Sequence, residues 1–144
     1  MISNPVVQAL GGLVIFYIGL KMFSGGMKAM GKLEHLEYFI HNPYWMFLGG
    51  IVCTLLWQSS SLSTTAIVGL VASGALPLPS AIAAVFGANI GTTGTIWFAG
   101  VMVSDGIPTG ITRQIAIVHT SVNLFMAINL LPFIQPIARF VSKF

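Results

Sequence analysis

The chain has 144 residues, 56% of them hydrophobic and only 6% charged, and its mean hydropathy is +0.91. Soluble domains carry about 25% charged residues, so this balance excludes an ordinary water-soluble enzyme or binding module and defines an integral membrane protein. The six basic and three acidic residues, net +3, lie mainly within residues 21–37, 105–113 and the C-terminal tail, placed as membrane-surface anchors and orientation signals, not as a nucleic-acid patch.

Residues 38–104 contain no Asp, Glu, Lys or Arg, which leaves room for more than one pass through a bilayer. Cys53 is the only cysteine, which excludes an internal disulfide and offers no metal-ligand spacing. No cleavable signal peptide is expected, because the start lacks a basic segment and the first apolar stretch runs past signal length. One compact multi-pass domain over residues 1–144, in the plasma membrane, is the expectation.

The first transmembrane helix is predicted over residues 5–30, with Asn4 as cap and Pro5 in the first turn. Lys21 and Lys28 can snorkel to the interface. Residues 31–42 carry Lys32, Glu34, His35, Glu37 and His41 and read as an amphipathic surface connection. The two histidines there are solvated interface residues, since no carboxylate or thiolate set completes a metal site.

Asn42-Pro43 is a helix start. The apolar run from Tyr44 to Trp57 spans about 21 Å as helix, short of a hydrocarbon core of about 30 Å. Gln58-Ser59-Ser60-Ser61 follows, then Leu62 and Ser63-Thr64-Thr65 open a second short helix that Pro77 and Pro79 stop. Two half-length helices meeting at a polar tip make a re-entrant hairpin over residues 43–76. The competing picture is one long helix with packed hydroxyls, but it would need a severe tilt.

Residues 80–103 form the next span, capped by Ser80. Its middle, Gly87-Ala88-Asn89-Ile90-Gly91-Thr92-Thr93-Gly94-Thr95, weakens a helix, and Asn89 at bilayer depth tips the reading toward a broken helix lining a wet cavity. A glycine face for tight packing is the alternative. A turn at residues 105–110 leads to the last transmembrane helix, residues 111–132, opened by Thr112 and Arg113 and ended by Pro132. In it His119 and Asn123 share a face by their i, i+4 spacing, with His119 expected to hold an interhelical hydrogen bond. Residues 133–144, with Arg139 and Lys143, read as an interfacial tail.

The interior therefore offers hydroxyls, amides, backbone groups and helix ends, and no intramembrane carboxylate for a proton pump or acidic channel ring. The amide groups opening the half-helix near Ser60 suit an anion. Carbonyls ending half-helices near Trp57 or Asn89 suit Na⁺. A phosphate-like anion would need co-bound cations, a physical reason for coupled transport.

Gln58-Ser59-Ser60-Ser61 in an apolar hairpin, Gly87-Ala88-Asn89-Ile90-Gly91-Thr92-Thr93 about thirty residues on, and His119-Thr120 with Asn123 resemble the type II sodium-dependent phosphate cotransporter family. Gly19-Leu20-Lys21-Met22 through Met27-Lys28 resembles its first helix. The resemblance covers nearly the whole chain. It implies symport of inorganic phosphate with Na⁺ and no organic cofactor. Gln58, Ser59, Ser60 and Ser61 would bind substrate, faced by Asn89, Thr92 and Thr93, with Gln58, Ser61, Thr64, Asn89 and Thr92 as candidate sodium ligands.

The family's motif occurs in two inverted repeats, whereas this chain carries one. It is expected to be one half of an inverted-repeat transporter, an all-α membrane fold of three transmembrane helices, one discontinuous, plus the hairpin. An odd number of crossings makes a second copy inverted, so an antiparallel homodimer in the lipid bilayer is the expected assembly. Lys28, Lys32, Arg139 and Lys143 on one side against Arg113 on the other bias the chain toward one orientation. Two other readings are a non-transporting membrane subunit in a hetero-oligomer and an intramembrane serine hydrolase using Ser59 to Ser61 with His119 as base. The hydrolase lacks a Gly-x-Ser-x-Gly elbow.

Overall fold

The computed structural model describes residues 4–30, 34–104 and 109–144, and these are helical apart from short connections. The loop positions Gly31 and Lys32 and most of the expected 105–110 turn lie outside the described residues, as do the side chains of Lys28, Glu34 and His35. Helix α1 is Pro5–Met30, α2 Glu34–His41, α3 Pro43–Trp57, α4 Ser60–Ala72, α5 Leu78–Ser104 and α6 Gly110–Leu130. A 3₁₀ turn, Leu131–Phe133, leads into α7, Ile134–Val141.

The helix starts follow their capping chemistry. Asn4 Oδ1 accepts from the Val6 amide at 2.9 Å, and Asn42 Oδ1 from the Tyr44 amide at 3.0 Å ahead of Pro43, each satisfying a donor that a helix start leaves orphaned. At α5 the expected cap is displaced. The Ala81 amide bonds the Pro77 carbonyl at 3.0 Å, so the helix opens at Leu78, and the Ser80 hydroxyl is buried within the first turn without a partner.

Among the described residues, three stretches are long and apolar enough to cross a membrane: Pro5–Phe23, Leu78–Met102 and Gly110–Val141. The third runs on past Pro132 because the 3₁₀ turn passes directly into α7, whose Ile134 and Ala138 are buried in a helix that packs on α5. Helices α3 and α4 are shorter, at 15 and 13 residues, about 22 and 20 Å. They double back on one another. Ile40, just before α3, shares a buried cluster with Leu70 near the end of α4 and Leu76 beyond it, and Met46 of α3 packs against that cluster.

The break expected in the 80–103 span is absent: α5 is continuous across Gly87, Gly91 and Gly94. Those glycines make a packing face. A Cβ on Gly87 would lie 2.0 Å from the Phe47 carbonyl oxygen, and one on Gly50 would lie 2.1 Å from that of Ala84. Further along, a Cβ on Gly91 would meet Ile51 O and Thr54 Cβ, each at 2.7 Å. Backbone thus rests on backbone along α3 and α5, where dispersion and Cα–H···O contacts replace side-chain interdigitation. Glycine costs a helix about 1 kcal/mol per residue, a penalty this close approach offsets.

Away from that seam and the Ile40–Leu70 cluster, many large apolar side chains are exposed. The apolar window of α1 buries none of its residues, and Leu13, Ile15 and Tyr17 all lie more than 60% exposed. Such a surface is stable only where water is excluded.

Candidate functional site

The polar stretch after α3 sits at the turn of the α3–α4 hairpin. Gln58 adopts left-handed backbone angles, φ 52° and ψ 28°, and its amide closes the helix on Thr54 O at 2.8 Å. Its side-chain Nε2 donates to the Leu55 carbonyl. The left-handed geometry, which costs a non-glycine residue about 1–2 kcal/mol, stops α3 after Trp57 and reverses the chain.

Ser59 is extended, φ −146° and ψ 103°. Its Oγ accepts from the Leu62 amide at 3.2 Å, and its carbonyl accepts from the Ser63 amide at 3.1 Å. The remaining first-turn donors of α4, the Ser60 and Ser61 amides, have no intrahelical acceptor. They open a 13-residue helix whose macrodipole adds partial positive charge at that end. Gln58 and Ser61 are exposed, while Ser59 and Ser60 are half-buried.

Beneath the turn, Thr54 Oγ1 donates to Ser63 Oγ at 2.7 Å, and Ser63 Oγ donates to Ser59 O at 3.1 Å. Both side chains are buried. Thr54 lay outside the sequence-derived set; its signal is the single aliphatic hydroxyl of α3, whose only other hydroxyl is the phenol of Tyr44 in the first turn. Thr64 is half-buried, and Thr65 Oγ1 donates to Ser61 O at 2.7 Å.

The second motif meets the first through backbone and Thr54, not through its own amide. Gly91 abuts Thr54, which brings α5 against the hairpin turn. Thr92 Oγ1 donates to Ala88 O at 2.9 Å, and the buried Thr93 Oγ1 donates to Ile90 O at 2.7 Å. Asn89 is exposed. At 100° per residue it falls on the side of α5 opposite the Gly87–Gly91 face, so one chain does not aim it at the serines. With α5 unbroken, no half-helix carbonyls end at Asn89 to hold a cation.

On α6, Asn123 Nδ2 donates to the His119 carbonyl at 2.9 Å, within its own helix. The expected interhelical bond of His119 is not formed, and its Nδ1 is buried without a partner. The α5–α6 link comes from a pair that sequence reasoning missed: Trp97 Nε1 donates to Thr120 Oγ1 at 3.0 Å. An indole donor and a threonine, each at bilayer depth in consecutive helices, were the available signal.

These features define a helical membrane protein whose hydroxyl-rich turn presents a helix N-terminus between apolar spans. The model of the Na⁺/Pi-cotransporter family matches residues 15–135, and the chain belongs to that family, one of transporters and not of enzymes. It is 36% identical over 130 residues to sodium-dependent phosphate transport protein 2A of Rattus norvegicus, covering 85% of this chain and 20% of the relative. To protein 2B of Homo sapiens it is 32% identical over 133 residues, covering 88% and 19%. An uncharacterized protein of Bacillus subtilis, YqeW, is 33% identical over 100 residues, 67% of this chain and 33% of that protein. The chain thus spans about a fifth of the length of the mammalian relatives it matches. No solved structure matches it.

Proposed function

We propose that the chain is one half of a sodium-coupled symporter of inorganic phosphate, with the α3–α4 hairpin entering the membrane and returning to its own side. The observation that carries this reading is the Gln58–Ser61 turn. It offers the Ser60 and Ser61 amides, with hydroxyls beside them, at a helix N-terminus in a segment without fixed charge. Such a site binds an oxyanion through backbone donors and the helix dipole. Na⁺ lowers the net charge that must be moved through hydrocarbon, which is why the two species travel together.

Gln58, Ser59, Ser60 and Ser61 are assigned to phosphate, and Gln58, Ser61 and Thr64 contribute oxygens to sodium. Asn89, Thr92 and Thr93 complete the site when a second, inverted repeat is present, because Asn89 faces away from the serines of its own chain. We place that repeat in a second copy inserted in the opposite orientation, an antiparallel homodimer of the plasma membrane. The names of the mammalian relatives support sodium and phosphate as the pair, and a purely regulatory subunit has no comparable support.

The test is uptake of radiolabelled phosphate into proteoliposomes. The expected result is uptake that requires an inward Na⁺ gradient and is lost in Ser60→Ala, with the variant retaining its helical circular dichroism. Uptake indifferent to Na⁺, or undiminished in Ser60→Ala, overturns the assignment. Single cysteines placed at Lys32 and Gly106 of a cysteine-free chain test the assembly, since a dual-topology population labels at each position from both sides.

A further inference from the structure

Helix α7 carries two unlike stripes on its exposed side. Ile134 and Ala138 are buried where the helix packs on α5. Arg139 and Lys143 are exposed, and at 100° per residue they fall opposite that packed face. Helical bonding carries past Val141, since the Ser142 amide bonds the Ala138 carbonyl at 2.9 Å and the Lys143 amide bonds the Phe140 carbonyl at 3.3 Å. Lys143 therefore stands one turn beyond Arg139, on the same side. Phe140 and Phe144 form the second stripe, their rings edge-on at 5.4 Å, with Phe140 63% exposed. No acid answers the cations locally: residues 106–144 contain no Asp or Glu, and Glu34 and Glu37 belong to α2, which packs on α3.

Neighbouring elements fix the end of the molecule that α7 occupies. α6 returns along α5, tied to it by Trp97 and Thr120, so the chain beyond Thr120 advances toward the start of α5. That start, through Ala81 and Ala84, shares the buried cluster with Ile40 of α2. Around the junction of α2 and α3, Tyr38, Tyr44 and Trp45 are 64%, 63% and 45% exposed, and Phe39 lies edge-on to both Tyr38 and Trp45. Exposed Tyr and Trp side chains in a membrane protein gather at the headgroup level.

We propose that Arg139 and Lys143 hold the phosphate of an anionic phospholipid at this level, with the Phe140–Phe144 pair against its acyl chains. Guanidinium and ammonium groups suit a phosphate headgroup, and a membrane surface with net negative charge attracts basic residues beside a span. The aromatic stripe decides between sources of that charge. A free phosphate ion or an acidic peptide in water would satisfy the cations and leave the phenyl rings in water. An anionic lipid sets charge and hydrocarbon side by side, as the two stripes require. Such binding is independent of which solute the chain transports.

Native mass spectrometry of the full chain, released from vesicles of equal parts phosphatidylglycerol and phosphatidylcholine, reads the lipid retained. Phosphatidylglycerol should be held in several-fold excess. Each cation near an anionic surface is worth about a fivefold preference, so the double variant Arg139→Gln with Lys143→Gln should bring the ratio close to one. Arg139→Lys should keep most of the excess, and Arg113→Gln, at the opposite end of α6, should leave it unchanged. The substituted α7 side chains point away from α5, so circular dichroism should match the parent in every variant. Equal retention of the two lipids by the parent, an undiminished excess in the double variant, or an equal loss in Arg113→Gln overturns the proposal. So does displacement of the lipid by inorganic phosphate beyond that by chloride at equal ionic strength, which would assign the cations to the free ion.

Discussion

Thr54 and Ser63, nine positions apart in the chain, share a 2.7 Å hydrogen bond that clasps α3 to α4 just below the turn, and both are buried. Thr54→Val keeps the shape and removes the donor. It should lower stability by about 1–2 kcal/mol, the usual cost of an incomplete buried hydrogen bond. Combining it with Ser63→Ala should cost less than the sum of the single changes. Thermal unfolding in detergent, followed by circular dichroism, measures both. Strict additivity would show that the clasp contributes nothing of its own.

Two glycines of similar sequence context should behave oppositely. Gly87→Ala drives a methyl against the Phe47 carbonyl, and backbone cannot yield as a side chain does. A loss of about 1–3 kcal/mol is expected from overpacking. Gly49→Ala meets open space and should be neutral or up to about 1 kcal/mol stabilising, from helix propensity alone. The same unfolding assay ranks them.

At the left-handed Gln58, stability and the proposed role in transport can be measured apart. In Gln58→Gly the backbone penalty disappears while the bond from Nε2 to Leu55 is lost, so stability should stay within about 1 kcal/mol of the parent. Gln58→Val, β-branched at a positive φ, should lose about 2 kcal/mol. Phosphate uptake should fall in both. Full uptake by a stable Gln58→Gly would remove Gln58 from the site.

Ser59 and Ser61 are adjacent in kind but not in role. Ser59→Ala removes the cap on the Leu62 amide and should cost about 1 kcal/mol. Ser61, exposed and with its carbonyl already satisfied by Thr65, should tolerate Ala within about 0.5 kcal/mol yet raise the phosphate or Na⁺ concentration giving half-maximal uptake. Paired unfolding and uptake curves separate the two effects.

Local chemistry carried much of this fold into view. Asn4-Pro5 and Asn42-Pro43 announce their helices through capping, and the shortness of the run from Tyr44 to Trp57 announces a turn at Gln58. Long-range packing was hidden. Gly87, Gly91 and Gly94 read as helix breakers because their partners, Phe47, Ile51 and Leu55, lie about forty positions earlier, and no local rule couples the two. Asn89 attracted a site for the same reason: its polarity is visible in the sequence, but its direction depends on which side of α5 the glycines take. The imidazole Nδ1 of His119 lacks its expected partner because no polar side chain of another described helix reaches it, while Asn123 turns to the His119 backbone carbonyl, and spacing within one helix does not decide either contact.

The glycine seam has a mechanical consequence. Where two helices meet through side chains, small displacements can be absorbed by rotamer changes. Between α3 and α5 the Gly50–Ala84 and Gly87–Phe47 approaches leave no side chain to adjust, so one helix cannot slide or roll past the other without steric collision. The two therefore travel as a single lever. A rearrangement that exposed the serine turn first to one compartment and then to the other would carry both helices together, and the turns beside them are the Gln58–Ser59 reversal and the Gly74 bend, with φ 73°, that leads into α5.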